Sequence, residues 1–271
     1  MDFAAQKDTA RQLRADVVKM LFHSQSGHPG GSLSEMEILL ALYDNVMKVD
    51  PKNPQWEERD RFVLSKGHAC PGLYSVLAHK GYFPREDLWG FRSIGSHLQG
   101  HPDCSKTPGV DANTGSLGQG ISIAGGMALA AKHKKASYKV YALVGDGELQ
   151  EGLVWEAAMS AAHYKLDNFT VILDHNGLQI DGSNDDVMSV GDVSAKFAAF
   201  GFHCIHVQDG NSIEAMVDAL NASSEGKPKF ICAETVKGKG VSFMENNAGW
   251  HGKAPNEEQY KQAMNELGAQ A

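Results

Sequence analysis

The sequence predicts an α/β fold, a parallel sheet with helices on both faces. Three observations carry this. From residue 139 onward, short β-rich apolar runs alternate regularly with helical stretches. Two of those runs end in polar, glycine-containing turns, Gly145-Asp146-Gly147 and Asp174-His175-Asn176-Gly177. The chain has 271 residues, 42% hydrophobic and 21% charged, enough for one large domain with a sizeable core. No linker, repeat or low-complexity stretch divides it, so residues 1–271 read as a single domain.

An opening helix is expected over 7–23, where Leu13, Val17 and Leu21 recur at i, i+4 and i+8, with Gly27 as its stop. Ser34-Glu35-Met36-Glu37 has the capping-box pattern and predicts a helix start there, running to about residue 48. Pro51 and Pro54 then break the chain. Phe62-Val63-Leu64 reads as a short buried strand, and a helix is expected from Pro71 to about residue 80. Residues 82–116 are rich in Gly, Pro, Ser and His, and so long an irregular segment in a compact domain is usually functional. A helix follows over 117–135. Then come strand 139–144, helix 149–164, strand 169–173, helix 193–200, strand 202–207, helix 212–222 and strand 229–235, with a last helix over 256–267.

The formal net charge of −8 argues against nucleic acid or an anionic membrane as partner. An anionic substrate would have to be met by local positive charge. No apolar run approaches the roughly 20 residues of a membrane helix. The amino terminus, Met1-Asp2-Phe3-Ala4-Ala5, lacks a basic-then-apolar signal. The 4 cysteines are far apart with no CxxC, and read as reduced cytosolic thiols rather than a disulfide set or a zinc site. A cytoplasmic location is expected.

The two strand ends carry the chemistry. Neighbouring parallel strands would set Asp146 and Asn176 side by side at their carboxyl ends, where ligands collect in open α/β sheets. A carboxylate and an amide carbonyl are hard oxygen ligands that suit Mg2+ or Ca2+ rather than zinc or copper. Gly145 and Gly147 would let a diphosphate approach the backbone. The plain alternative is that Asp146 only caps the following helix. Gly118, Gly120, Gly125 and Gly126 sit where a helix is expected, and each costs about 1 kcal/mol there against alanine. A phosphate at the helix's amino end, close helix packing, or both would account for them, with the Gly125-Gly126 pair suited to packing against a second subunit.

Several motifs in order resemble transketolase: Ser26-Gly27-His28-Pro29-Gly30-Gly31, Leu64-Ser65-Lys66-Gly67-His68-Ala69, Gly100-His101-Pro102, Gly115-Ser116-Leu117-Gly118-Gln119-Gly120 and Gly147-Glu148-Leu149-Gln150-Glu151-Gly152. Gly145-Asp146-Gly147 with the later Asn176 resembles the thiamin diphosphate signature. The resemblance spans nearly the whole chain. It implies that Asp146, Asn176 and the backbone carbonyl of Leu178 hold Mg2+, with Ca2+ as a possible substitute. It implies that His68, Gly115, Ser116, Leu117, Gly145, Asp146, Gly147, Asn176 and His251 bind the coenzyme. His28 and His101 would contact the donor sugar, and His68 and His251 the diphosphate and reacting oxygens. These four, of 12 histidines, lie in or beside Gly/Pro turns. The other eight include His23, His79, His133, His163, His175, His203 and His206, which read as ordinary surface or satisfied residues. Around His251, Gly249-Trp250-His251-Gly252 departs from the usual wording. Lys237-Gly238-Lys239-Gly240 lacks the Walker pattern and, by resemblance, closes near the coenzyme. Glu151 and Glu156 are either solvated helix charge or, by resemblance, interface acids.

In full-length transketolases a pyrimidine-binding domain follows this one and supplies a glutamate to the coenzyme. The expectation is therefore the amino-terminal subunit of a split transketolase. Its partner would be a second chain carrying the pyrimidine-binding and carboxy-terminal domains, in a heterotetramer. The reaction would be reversible transfer of a two-carbon ketol unit from a ketose phosphate to an aldose phosphate. The rivals are a related thiamin enzyme half acting on a sulfo-sugar, apiose-pathway ketose or dihydroxyacetone, a nicotinamide dehydrogenase, and a non-catalytic module that keeps the cofactor fold. Gly115 to Gly120 reads GxxGxG, the wrong order for a nicotinamide site.

Overall fold

The computed structural model describes residues 2–270. The chain opens with α1 (Phe3–Ser24), α2 (Pro29–Ser34) and α3 (Met36–Leu40), which runs into a π-helical turn, Ala41–Val46. Then follow β1 (Arg61–Leu64), α4 (Cys70–Lys80), α5 (Gln119–Lys134), β2 (Val140–Gly145), α6 (Gly152–His163) and β3 (Phe169–His175). A two-stranded hairpin, β4 (Leu178–Gln179) and β5 (Gly182–Ser183), precedes α7 (Asn184–Met188) and α8 (Val193–Phe200). Last come β6 (His203–Val207), α9 (Ile213–Asn221), β7 (Lys229–Glu234) and α10 (Glu257–Glu266).

The five main strands form one sheet in the order β1-β2-β3-β7-β6, every pair parallel. Successive side chains on each strand face opposite ways, and both faces are apolar. Leu64, Tyr141, Leu143, Ile172 and Ile231 pack with residues of α1, α3, α4, α9 and α10. Val63, Ala142, Val144, Val171 and Leu173 pack with residues of α5, α6 and α8. Each fully buried aliphatic side chain contributes about 1.5–3 kcal/mol. The expected α/β class is thus met, with helices on both sides.

Local caps set the helix boundaries. Asp192 and Ser212 accept the N–H groups of Ala195 and Ala215 and start α8 and α9. Asn256 and Gln259 form a reciprocal capping box on α10. The capping box expected at Ser34 does not form. Ser34 ends α2 and donates to Asp174 at 2.6 Å, while Glu37 is held by Arg14 at 2.6 Å. The expected helix over 34–48 is instead α3 and the π turn. The helix expected from residue 117 begins at Gln119, behind Gly118 at φ 81°. The one expected over 149–164 splits into a 3-10 turn, Gly147–Gln150, and α6. Residues 82–116 are irregular apart from one 3-10 segment, Arg85–Gly90.

Candidate active site

The carboxyl ends of β2 and β3 lie in register, Gly145 beside Asp174, so the two turns that follow them meet. Asp146 and Asn176 are brought together there. Asp146 Oδ2 accepts the backbone N–H groups of Asn176 and Gly177, both at 2.8 Å. Its Oδ1 accepts from His175 Nδ1 at 2.5 Å. Asp146 is thereby a clamp on the second turn rather than a cap of the next helix. Asn176 Oδ1 accepts the Leu178 N–H at 3.2 Å, which holds the amide in place.

A cavity of about 340 Å³ opens over these turns. His28, His68, His251, Gly115, Leu117, Gly145, Asp146, Gly147, Asn176 and Leu178 all line it. The size falls within the range of small-molecule sites. His101 and Ser116 are not among the lining residues. The His101 ring packs behind the wall, where a Cβ on Gly115 would meet it at 2.8 Å. Gly115 has φ 139°, so both its backbone and its lack of a side chain are needed. Ser116 is exposed on the approach to α5.

Three histidines from distant segments form a triangle on one wall. Ring centroids are 5.0 Å apart for His28 and His68, 5.0 Å for His68 and His251, and 5.3 Å for His28 and His251. Burial, then the Arg92, His101 and Lys237 charges, lowers the pKa of His28 to about 4. Burial, then Lys237, lowers His251 to about 3. Burial and Lys66 push His68 well below its usual value, and burial and Arg92 lower His101. At neutral pH all four are uncharged imidazoles, each with one donor and one acceptor nitrogen.

The floor is a buried ion cluster whose members the sequence did not single out. Lys66 Nζ lies 2.6 Å from Asp174 Oδ2, 2.8 Å from Glu35 Oε2 and 3.0 Å from the Gly31 carbonyl. Asp174 also accepts from Ser34 and Thr235. Burial outweighs Lys66 at Glu35 and raises its pKa to about 8. Lys237 is a second buried cation, with Nζ 3.3 Å from His251 Nδ1 and no ion pair among the described residues. Burial lowers its pKa to about 8. The loop that was expected to close near the coenzyme does reach this cavity, through Lys237.

The amino end of α5 is not the open phosphate site that its glycines suggested. Glu148 Oε1 accepts the Gly118 N–H at 2.9 Å and the Ser65 hydroxyl at 2.5 Å. Ser65 Oγ in turn accepts the Ile121 N–H at 3.0 Å. The glycine at 120 is explained by packing, since a Cβ there would lie 2.6 Å from Ser65 Cα. His175, read as an ordinary residue, is instead bound to Asp146, which raises its pKa to about 9.

A family model described as the thiamine diphosphate binding domain of transketolase matches residues 5–271. This chain belongs to the transketolase family. It is 43% identical to an apulose-4-phosphate transketolase subunit of Phocaeicola vulgatus, covering 94% of this chain and 90% of that one. It is 43% identical to the 6-deoxy-6-sulfo-D-fructose transketolase subunit SqwG of a Clostridium species, covering 98% of this chain and 96% of that one. Human transketolase is 42% identical over 98% of this chain, which spans only 42% of the human protein. A Pichia stipitis transketolase structure, in complex with sedoheptulose 7-phosphate, superimposes with a TM-score of 0.93 at 34% identity. That match covers 99% of this chain and 41% of the Pichia chain.

The cavity fits the coenzyme that defines a transketolase domain of this type. His28 Nδ1 and Gln179 Nε2 are buried in its walls without a hydrogen-bond partner, as a polar ligand requires. Lys237 places a buried ammonium on the cavity wall, the charge that a diphosphate would need. Asp146 and Asn176 offer the hard oxygens that a Mg2+-type ion takes.

Proposed function

We propose that this chain is the coenzyme-binding subunit of a split transketolase, active with a second chain. The reaction is reversible transfer of a two-carbon ketol unit from a ketose phosphate to an aldose phosphate. The observation that carries this reading is the 43% identity to two relatives that are themselves named as transketolase subunits. The chain spans 90% and 96% of two relatives named as transketolase subunits, and 42% of the human enzyme. By analogy with those subunits, a partner chain would carry the pyrimidine-binding and carboxy-terminal domains.

Thiamin diphosphate, when bound, supplies the carbanion chemistry. This chain's residues bind and orient. Asp146, Asn176 and the Leu178 carbonyl would hold Mg2+, with Ca2+ able to substitute. Lys237, His68 and His251 would meet the diphosphate and the reacting oxygens. Neutral His28 and, behind it, His101 would exchange hydrogen bonds with sugar hydroxyls, because an uncharged imidazole can both donate and accept. Gly115, Leu117, Gly145 and Gly147 form the close-fitting wall, with Ser116 at its outer edge.

A heterotetramer, two of each chain, is supported by the outer face of α5 and α6. Ile123, Leu129 and Met159 are exposed there, and a Cβ on Gly126 would meet nothing within 4 Å. Free cysteines at 70, 104, 204 and 232 favour a cytosolic setting. A second reading of the substrate is favoured by the names of the two subunit relatives: an apulose phosphate or a sulfo-fructose donor.

Native mass spectrometry of the chain purified from its own cells, with Mg2+ and thiamin diphosphate, tests the proposal. A second chain in equal number, with coenzyme, is expected. A self-associated protein without a partner overturns it. A panel of ketose phosphates and sulfo-sugars on the reconstituted pair then separates the substrate readings.

A further inference from the structure

A second cluster of ligating side chains sits on the sheet face that packs against α8. His175 on β3 is the register partner of Glu234 on β7. Cys232 lies two residues before Glu234 on the same strand, and so on the same face. One ligand atom from each of these three lies within 4.8 Å of the other two. None of the three lines the diphosphate cavity. We propose that His175 Nε2, Cys232 Sγ and a Glu234 carboxylate oxygen form a site for a zinc-class divalent transition metal.

The spacing is close to what such an ion needs. Metal–ligand bonds of about 2.0–2.3 Å in a tetrahedron set neighbouring ligands about 3.3–3.8 Å apart. His175 Nε2 is 3.8 Å from Glu234 Oε1. His206 on β6, the register partner of Cys232, brings its Nε2 to 3.6 Å from the same oxygen and borders the fourth position. A thiolate with an imidazole selects zinc, cobalt or copper over magnesium. The Cys232 thiol proton and the Nε2 proton of the His175 imidazolium both leave to solvent when the ion enters.

The orientation of His175 is the strongest support. Its Nδ1 is taken by Asp146 Oδ1, so Nε2 is the nitrogen left free, and it faces Glu234. Carboxylate–histidine–metal arrangements of this kind fix the tautomer of metal-binding histidines. The plain reading makes Cys232 a small core residue and His175–Glu234 a loose ion pair. It does not require a thiol, an imidazole nitrogen and a carboxylate to converge. Spacing along the chain gave no sign of the site, because two parallel strands build it. The site is independent of the coenzyme reading, although Asp146 joins the two.

Cobalt(II) provides the test, because a thiolate ligand gives a charge-transfer band in the near ultraviolet. The full chain, cleared of metal, is titrated with Co2+ and then with Zn2+ as competitor. One equivalent with a charge-transfer band, displaced by Zn2+, is expected. Cys232→Ser should remove the band, and Cys204→Ser should leave it. Glu234→Gln, a half-exposed change that preserves shape, should keep the band and weaken Co2+ at least tenfold. A band that survives Cys232→Ser overturns the proposal. So does the absence of a band in the unaltered chain, or unchanged affinity in Glu234→Gln.

Discussion

His175 Nδ1 lies 2.5 Å from Asp146 Oδ1, and this contact ties the end of β3 to the turn after β2. The same carboxylate holds the Asn176 and Gly177 amides, so one aspartate joins the two turns that border the cavity. The hydrogen bond to Asp146 outweighs burial and raises His175 from 6.5 to about 9. A raised pKa in the folded state means that the pair stabilises fully below pH 6.5 and loses that contribution as pH rises through about 9. At pH 6, in chelator, His175→Ala should cost about 1.5–3 kcal/mol, the range for a charge-assisted hydrogen bond. Denaturant midpoints from pH 6 to pH 10 check this. A gap between the two proteins that does not narrow with rising pH would contradict the assignment.

Asp146→Ala removes the clamp and one hard oxygen ligand together. Metal-dependent binding of thiamin diphosphate should be abolished in calorimetric titrations with Mg2+. Coenzyme binding at the unaltered level would refute the metal assignment.

Lys66 joins two buried carboxylates, Glu35 and Asp174, and all three side chains are at most 2% exposed. Breaking a buried pair strands charge, which costs about 3–5 kcal/mol. Lys66→Met, which keeps the volume, should lower stability by that amount, read from denaturant unfolding. A loss below about 1 kcal/mol would mean that Glu35 and Asp174 are already protonated and leave no carboxylate charge for Lys66 to pair.

Lys237 is the cation on the cavity wall without a carboxylate partner among the described residues. Lys237→Met should weaken thiamin diphosphate at least tenfold, which is about 1.4 kcal/mol. Its pKa near 8 adds a pH signature. Affinity of the unaltered chain should fall as pH rises through about 8, because the ammonium loses its proton there. The methionine variant should lack that step. An identical pH profile in both would move the diphosphate away from Lys237.

His28, His68 and His251 were legible in sequence because Gly/Pro turns place short polar segments over a sheet edge, whereas His101 packs behind that wall. The sheet was legible because apolar strands buried on both faces carry a continuous signal. What was hidden depends on register between distant segments. Lys66 and Asp174 are 108 positions apart, and nothing local marks them as partners. Ser34 and Glu37 show the opposite failure. Their pattern is a good local cap, but Asp174 and Arg14 offer buried partners worth more than an exposed helix start. Glu148 likewise closed the α5 amino end from a turn 30 positions away.

Gly120 separates the two explanations offered for the α5 glycines. A Cβ there would lie 2.6 Å from Ser65 Cα, and backbone atoms cannot swing aside as a side-chain tip can. Ser65 also holds the Glu148 carboxylate and the Ile121 amide, so pushing it would strain that whole cap. Gly120→Ala should therefore destabilise by about 1–3 kcal/mol, the usual cost of overpacking, despite alanine's better helix propensity. Gly126→Ala, with nothing within 4 Å, should instead stabilise the isolated chain by about 1 kcal/mol. In the assembled enzyme Gly126→Ala should weaken the association between chains if α5 packs against the other copy. Thermal unfolding of the isolated chain and sedimentation of the assembled pair read the two effects separately. A neutral Gly120→Ala would show that β1 and α5 have more room between them than 2.6 Å allows.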